Sequence, residues 1–136
     1  LYTATTGITA SQYKGATTVH SLFHLTTDQE KMHYAERLLQ LADLIIIDEC
    51  SMLTKNVIGD CDMTLRFVMI DSSDDGLPVH SPDKMSLFER IKILFVGDFL
   101  QLPPVDRTSA PVFQRMIYEL PWWNNVLTFS LADPIR

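Results

Sequence analysis

The stretch Asp43-Leu44-Ile45-Ile46-Ile47-Asp48-Glu49 decides the fold of this 136-residue chain. Its four central residues are aliphatic without alternation, and three of them are β-branched. Such a run is typical of a strand that is covered on both faces in a parallel sheet. The stretch therefore predicts a buried parallel strand that ends in two adjacent carboxylates.

A second apolar run, Ile91 to Asp98, also ends in an acid and predicts another strand. The segment that follows contains Pro103-Pro104, and paired prolines exclude both a helix and a central strand there, so a loop must leave the sheet. We expect a short first strand from Leu1 to Thr6 and a last strand from Val126 to Leu131.

Helical patterns separate the predicted strands, because apolar residues recur every three or four positions. Thr17 or Thr18 is expected to cap one short helix and Asp28 a longer one. The predicted helices cover residues 8–13, 19–23, 28–42, 54–69 and 112–120, and the polar residues 71–86 predict a loop. The alternation of strands and helices predicts an α/β fold with a doubly wound parallel sheet.

Composition sets limits on function. Hydrophobic residues make up 46% and charged residues 21%, and no apolar run approaches the roughly 20 residues of a membrane span, so we expect a soluble protein without a membrane partner. The net charge of −6 argues against bulk electrostatic binding of nucleic acid, and any DNA contact must be local.

Cys50 and Cys61 have no metal-ligand spacing and are predicted to be reduced core residues of an intracellular protein.

The polar ends of three predicted strands carry the chemistry. They present Thr6-Gly7, Asp48-Glu49 and the segment from Gly97 to Gln101, and the carboxyl ends of parallel strands meet at one edge of a sheet. Adjacent acids there suit nucleotide hydrolysis: Asp48 would hold Mg²⁺ directly or through water, and Glu49 would orient the attacking water. The alternative is that the two acids only close a strand and open a loop.

Four segments, in this order, resemble the motifs of the petite-integration-frequency helicase family, superfamily-one motors that also occur in Helitron-type transposons. Thr3-Ala4-Thr5-Thr6-Gly7-Ile8-Thr9-Ala10 is similar to the family's TAPTGIAA, and Thr18-Val19-His20-Ser21 to its T-I-H-S element. Asp48-Glu49-Cys50-Ser51 is similar to DEIS, and Gly97-Asp98-Phe99-Leu100-Gln101-Leu102-Pro103-Pro104-Val105 matches GDFxQLPPV throughout. The resemblance covers nearly the whole chain.

The resemblance implies roles in ATP hydrolysis. Asp48 would bind Mg²⁺, Glu49 would be the catalytic base, and Gln101 would sense the terminal phosphate of ATP and link it to movement on DNA. The family's L-x-x-x-x-R element fits Leu131 to Arg136 in spacing, so Arg136 would be the arginine that stabilises the transferring phosphoryl group. The alternative for Arg136 is an exposed arginine without a role.

The same resemblance implies contacts with single-stranded DNA. The residues concerned are Thr6, Gly7, Thr18, His20 and Ser21, whose hydroxyl, amide and imidazole groups bind backbone or bases without bulk positive charge. The alternative is that they are helix caps and a core histidine. Trp122-Trp123 could stack on bases, but their position after a predicted helix favours packing between helix and sheet.

The sequence also departs from the family. Thr5 replaces the family's proline, which is expected to loosen the turn after the first strand, and Leu87-Phe88-Glu89-Arg90 replaces P-F-G-G. No G-x-x-x-x-G-K-[ST] loop occurs. We therefore expect residues 1–136 to be a partial RecA-like motor domain of the P-loop NTPase fold, without its first strand, phosphate loop and second motor domain, and unable to hydrolyse ATP alone.

The implied parent is an ATP-dependent DNA helicase that moves on single-stranded DNA and unwinds forked duplex DNA in repair, recombination or telomere maintenance. It would be monomeric and, in a eukaryote, nuclear or mitochondrial. Two alternatives remain open: a non-catalytic transposon remnant that binds single-stranded DNA, and an exonuclease-associated motor subunit of the same superfamily.

Overall fold

A computed structural model describes residues 1–25, 29–70, 91–105 and 116–131 of the chain. The predicted loop over residues 71–86 and the segment Leu87-Phe88-Glu89-Arg90 lie outside these ranges. The elements in chain order are β1 (Tyr2–Ala4), α1 (Gly7–Ser11), β2 (Thr17–Thr18), α2 (Val19–Leu22), α3 (Gln29–Gln40), β3 (Leu44–Asp48), a 3₁₀ helix (Cys50–Met52), α4 (Lys55–Ile70), β4 (Lys92–Phe95) and two further 3₁₀ helices (Ile117–Glu119 and Pro121–Asn125).

The four strands form one sheet in the order β2-β1-β3-β4, and every pairing is parallel. The run that predicted a buried strand is β3, and it lies between β1 and β4. Ile45 and Ile47 are fully buried on one face, while Ile46 on the other face is half-buried. The predicted α/β fold with a parallel sheet is confirmed.

The helix α4 packs on this sheet through one apolar stripe. Thr54 caps the helix, since its Oγ1 accepts a hydrogen bond from the backbone N–H of Val57 at 3.2 Å. The buried residues recur at intervals of three and four positions, as an amphipathic helix requires, and they are Ile58, Cys61, Leu65 and Val68. Among the helices in the described ranges, none has the length and apolarity that a membrane crossing requires.

Both cysteines belong to the core, as predicted. Cys50 and Cys61 are free thiols with 2% and 0% exposure. Burial raises the pKa of each thiol to about 12, because the thiolate would lose its hydration. Neither thiol is therefore a reactive nucleophile at neutral pH.

An aromatic cluster joins the end of β4 to the last 3₁₀ helix. The ring of Trp123 lies 5.4 Å from that of Phe95 and 5.8 Å from that of Phe99, and Trp122 lies 6.2 Å from Phe95. Both tryptophans are half-buried against the core. The packing interpretation of Trp122-Trp123 is confirmed.

Two predicted elements are wrong where the structure describes them. Residues 116–120 are not α-helical: Met116 is extended and bridges Thr54 in antiparallel fashion, and the buried Ile117 begins a 3₁₀ helix. Residues 126–131 form no strand, and Leu127 and Phe129 are 79% and 82% exposed. A strand needs a neighbour for its backbone groups, and no described strand lies beside this segment.

Candidate active site

The strand ends that carry polar residues meet at one edge of the sheet. α1 begins directly after β1, the 3₁₀ helix Cys50–Met52 after β3, and the Gly97–Gln101 segment after β4. A cavity of about 180 Å³ opens between them. It is lined by Thr6, Thr9, Glu49, Ser51, Met52, Gln101 and Leu102. Thus Glu49 and Gln101, which are far apart in sequence, contribute to one wall.

The carboxylate of Asp48 is held from two sides. Its Oδ1 accepts the backbone N–H of Glu49 at 2.8 Å, and its Oδ2 accepts the hydroxyl of Tyr2. The hydrogen bond to Asp48 raises the pKa of Tyr2 well above its ordinary value. The half-buried Asp48 therefore has a fixed orientation at the carboxyl end of β3.

Glu49 has a left-handed backbone conformation, with φ 55° and ψ 39°. For a residue with a Cβ this conformation costs on the order of 1–3 kcal/mol, and such residues concentrate at functional sites. It turns the chain sharply out of β3 into the 3₁₀ helix, so that the side chain of Glu49 reaches the cavity wall. The Glu49 carbonyl accepts hydrogen bonds from the Met52 N–H at 3.1 Å and the Thr5 hydroxyl at 3.2 Å.

Thr5 joins the end of β1 to the end of β3. Besides the hydroxyl bond to Glu49, the Thr5 N–H donates to the Asp48 carbonyl at 3.2 Å. A proline at this position could make neither bond, because it has no N–H and no hydroxyl. Thr5 therefore fastens the end of β1 to the end of β3, and the looser turn expected from the loss of the family's proline stays a prediction.

Gly97 allows the end of β4 to lie against the 3₁₀ helix. The Cys50 N–H donates to the Val96 carbonyl at 2.9 Å. A Cβ at Gly97 would lie 2.9 Å from both the backbone N and the Sγ of Cys50, and 3.1 Å from the N of Ser51. The two backbones therefore approach more closely than any side chain at position 97 would permit.

Gln101 is oriented by Asp98 in the exposed turn that follows. The Asp98 carboxylate accepts the Leu100 N–H at 2.9 Å and the side-chain amide of Gln101 at 3.2 Å. The Gln101 N–H donates to the Asp98 carbonyl at 3.1 Å, which closes the turn. The carboxylate of Asp98 thus orients the amide of Gln101, the residue that the family resemblance implies to be a phosphate sensor.

Sequence reasoning missed two hydroxyls in the cavity wall. Ser51 is 1% exposed, and its Oγ has no hydrogen-bond partner among the described residues. Thr9 lies one helical turn after Thr6, and their Oγ1 atoms are 2.9 Å apart. The signal for Ser51 was its place two residues after Glu49, and for Thr9 the i, i+3 spacing from a capping residue.

The five candidate DNA-contacting residues lie at the starts of α1 and α2, on the same edge. Thr6 caps α1 by accepting the Thr9 N–H at 3.2 Å, and Thr18 caps α2 by accepting the Ser21 N–H at 3.3 Å. The cap interpretation of both threonines is confirmed. His20 and Ser21 are exposed, so the interpretation of His20 as a core residue is wrong.

Gly7 is exposed as the first residue of α1, and a Cβ there would meet nothing within 4 Å. Its surface is therefore open to a ligand. Arg136, the predicted phosphate-contacting arginine, lies outside the described residues.

The donor set fits magnesium that arrives with a nucleotide. Mg²⁺ usually takes one or two protein carboxylates and completes its octahedral shell with phosphate oxygens and water. Within the described ranges, no three His, Cys, Asp or Glu residues are grouped to hold a metal alone. Asp48, with its oriented carboxylate at the sheet edge, can supply the single protein ligand, directly or through water.

A parallel sheet with acids and a glutamine at its carboxyl edge defines a RecA-like α/β domain. A model of the PIF1-like helicase family matches residues 1–136. The chain therefore belongs to the PIF1-like helicase family.

Individual relatives agree with this assignment. The chain is 33% identical over 142 residues to the ATP-dependent DNA helicase Pif1 of Campylobacter jejuni subsp. jejuni serotype O:2, covering 90% of this chain and 28% of that one. It is similar to a solved structure concerning DNA unwinding at forked double-stranded DNA by two coordinating Pif1 helicases, with a TM-score of 0.57, 30% identity and coverage of 79% and 25%.

A Bacteroides Pif1 helicase solved in complex with ADP-AlF3 and single-stranded DNA is similar as well. The TM-score is 0.57 and the identity 28%, with coverage of 79% of this chain and 24% of that one. The chain thus spans about a quarter of the length of these relatives.

Proposed function

We propose that residues 1–136 are part of the first motor domain of an ATP-dependent DNA helicase that hydrolyses ATP with Mg²⁺ to move on single-stranded DNA and unwind forked duplexes. One observation carries the proposal: Glu49, Gln101 and Thr6, which the sequence assigned to hydrolysis, sensing and DNA contact, line the same cavity. Hydrolysis and DNA movement would then be linked through one cavity.

In this proposal Asp48 provides the carboxylate for Mg²⁺, and its two hydrogen bonds keep the carboxylate oriented before the nucleotide arrives. The metal, when bound, neutralises charge on the phosphate oxygens. Glu49 accepts a hydrogen bond from the attacking water and orients it toward the terminal phosphate. The left-handed backbone at Glu49 points its side chain into the cavity without displacing Asp48.

Gln101 would report the state of the terminal phosphate. Its side-chain amide is bonded to Asp98 at 3.2 Å, and both groups are exposed, so the amide can exchange this partner for a phosphate oxygen. Ser51 and the first turn of α1 line the same cavity as Gln101, so a nucleotide bound there would lie next to all three. Arg136 is proposed to stabilise the same phosphoryl group during transfer.

The DNA contacts would come from the starts of α1 and α2. Thr6, Gly7, Thr18, His20 and Ser21 offer hydroxyls, backbone amides and an imidazole at one sheet edge, and such groups bind nucleic-acid backbone and bases. The net charge of −6 restricts binding to such local contacts. The relatives solved with single-stranded DNA or concerned with forked DNA support this choice of ligand.

The remaining properties follow from the same proposal. The phosphate loop and the second motor domain would be supplied by sequence outside residues 1–136, and this piece alone would not hydrolyse ATP. The parent would be an intracellular monomer, nuclear or mitochondrial in a eukaryote, that acts in DNA repair, recombination or telomere maintenance.

The test uses the full-length natural protein that carries these residues. Glu49→Gln keeps the size of the side chain and removes the base, so we expect DNA-stimulated ATP hydrolysis and strand separation to fall by about 10²–10⁴-fold. Glu119→Gln is the matched control, because Glu119 is exposed on a 3₁₀ helix and does not line the cavity. ATPase and forked-duplex unwinding are measured for both variants.

Near-normal rates for Glu49→Gln would contradict the assignment of the base. A wild-type protein that binds single-stranded DNA but neither hydrolyses ATP nor separates strands would favour the transposon remnant instead. Co-purification with a nuclease subunit would favour the exonuclease-associated motor.

A further inference from the structure

We infer that Tyr2 is a positioning residue for Asp48 and thereby sets the affinity of the site for Mg²⁺. This inference rests on the proposed function, because it takes Asp48 as the metal carboxylate. In the sequence, Tyr2 is only one residue of the predicted first strand. The structure gives its hydroxyl a polar partner at the site itself.

The register of the sheet brings the two groups together. Tyr2 pairs with Ile46 and Ala4 pairs with Asp48, so Tyr2 lies two residues before the strand position that faces Asp48. Residues i and i+2 of a strand share a face and are about 6.6 Å apart. A tyrosine side chain that leans along its strand spans this distance, and its hydroxyl donates to Asp48 Oδ2. An aliphatic residue at position 2 would leave Oδ2 without this donor.

The ring of Tyr2 is itself held in place. The ring of Tyr13, which follows α1, lies 4.2 Å from it between centroids at an interplanar angle of 35°. The backbone N–H of Tyr13 donates to the Ala10 carbonyl at 3.3 Å, which places Tyr13 in the turn after α1. Rotation of the Tyr2 ring away from Asp48 would therefore also break its contact with the Tyr13 ring.

Each oxygen of the Asp48 carboxylate accepts a hydrogen bond from a different donor. The Glu49 N–H fixes Oδ1, and the Tyr2 hydroxyl fixes Oδ2, so rotation of the carboxylate about its Cβ–Cγ bond is restricted. Each oxygen keeps a further lone pair that can face a metal ion or its water. Loss of such an outer donor typically weakens metal binding or activity by about 10- to 100-fold.

The contact between Tyr2 and Tyr13 also links the donor on Asp48 to α1, which carries two of the proposed DNA contacts. α1 carries Thr6 as its cap and Gly7 as its first residue, and Tyr13 closes the turn after this helix. The contact between the Tyr2 and Tyr13 rings therefore places the donor on Asp48 next to the turn that follows α1.

The experiment uses the full-length natural protein with ADP and Mn²⁺ as a spectroscopic substitute for Mg²⁺. Electron paramagnetic resonance measures the dissociation constant of Mn²⁺, and ATPase assays measure the half-saturating concentration of Mg²⁺. Tyr2→Phe keeps the ring and removes the hydroxyl, and we expect both quantities to rise by about 10-fold. Tyr118→Phe is the matched control: it removes a hydroxyl but keeps the edge contact with Phe99, and should change neither.

Two further variants separate the possible outcomes. Asp48→Asn weakens Mn²⁺ binding if the proposed function is right, and an unchanged constant for this variant would reject the role of Asp48 itself. Weakened binding in Asp48→Asn with unchanged binding in Tyr2→Phe would overturn the inference alone. Tyr2→Leu, which also loses the ring, should match Tyr2→Phe; a loss in Tyr2→Leu alone would mean that ring packing, not the hydroxyl, matters.

Discussion

Replacing Gly97 by alanine tests the close contact between the end of β4 and the 3₁₀ helix that follows the acids. The added Cβ would lie 2.9 Å from the N and Sγ of Cys50, which is about 0.5 Å short of the 3.4 Å where ordinary contact begins. The Sγ could rotate away, but the backbone N could not. The contact therefore opens only if the two backbones separate.

The cost follows from this separation. A shift of about 0.5 Å would stretch the Cys50 N to Val96 O hydrogen bond from 2.9 Å toward the limit of hydrogen bonding. Overpacking of this kind typically costs about 1–3 kcal/mol. Since Gln101 follows Gly97 and Glu49 precedes Cys50, the same shift would move Gln101 away from Glu49. If the proposed function is right, the ATPase of the full-length natural protein should then fall more steeply than stability alone explains.

The control is the same substitution at Gly59. A Cβ there meets nothing within 4 Å, and the residue lies inside α4, where alanine is better than glycine by about 0.5–1 kcal/mol. Gly97→Ala and Gly59→Ala should therefore change the free energy of unfolding in opposite directions. Denaturant unfolding measures both, and DNA-stimulated ATPase measures the effect on the site.

Equal stabilisation by the two substitutions would refute the reasoning, because it would mean that the backbone at position 97 has room for a side chain. If Gly97→Ala is destabilised but its ATPase is normal, the backbone at position 97 has no room for a side chain, as expected. The same result would mean that this contact does not set the distance between Glu49 and Gln101.

Two further predictions concern the core. Ile58→Ala should lower the free energy of unfolding by about 2–5 kcal/mol, since Ile58 is 2% exposed, whereas Met63→Ala on the exposed face of α4, at 70% exposure, should change it by less than about 0.5 kcal/mol. Because burial raises the pKa of Cys50 and Cys61 from 9.0 to about 12, their contribution is complete below pH 9 and the free energy of unfolding should fall as the pH rises from 9 to 12. Replacing Cys61 with alanine should make this fall smaller, and denaturant titrations across that range test it.

Much of the fold could be predicted because its signals are local. The unbroken aliphatic run before Asp48 predicted β3, and the spacing of Ile58, Cys61 and Leu65 predicted the buried stripe of α4. The spacing of apolar residues along the sequence is enough to predict burial patterns of this kind. The order of motifs also placed Glu49 and Gln101 at strand ends of one sheet.

The failed predictions concern segments whose structure depends on a neighbour. The alternating apolar residues after Val126 are typical of a strand, but a pattern supplies no partner for the backbone. Likewise, the pairing of Met116 with Thr54 replaced the predicted helix by an extended residue and a 3₁₀ turn. Sequence period cannot reveal which distant backbone will offer hydrogen bonds.

The sequence by itself determined the parallel α/β class, the family and the strand ends at which the acids and the glutamine lie, because these properties follow from short-range pattern. Only the tertiary structure decided that Tyr2 holds Asp48, that Ser51 lines the cavity beside Glu49, and that Thr5 ties two strands together. The contacts of Tyr2 and Thr5 join the end of β1 to the end of β3, and they depend on the pairing register of these two strands. The place of Ser51 in the cavity depends on segments that are distant in the sequence, such as Thr6 and Gln101.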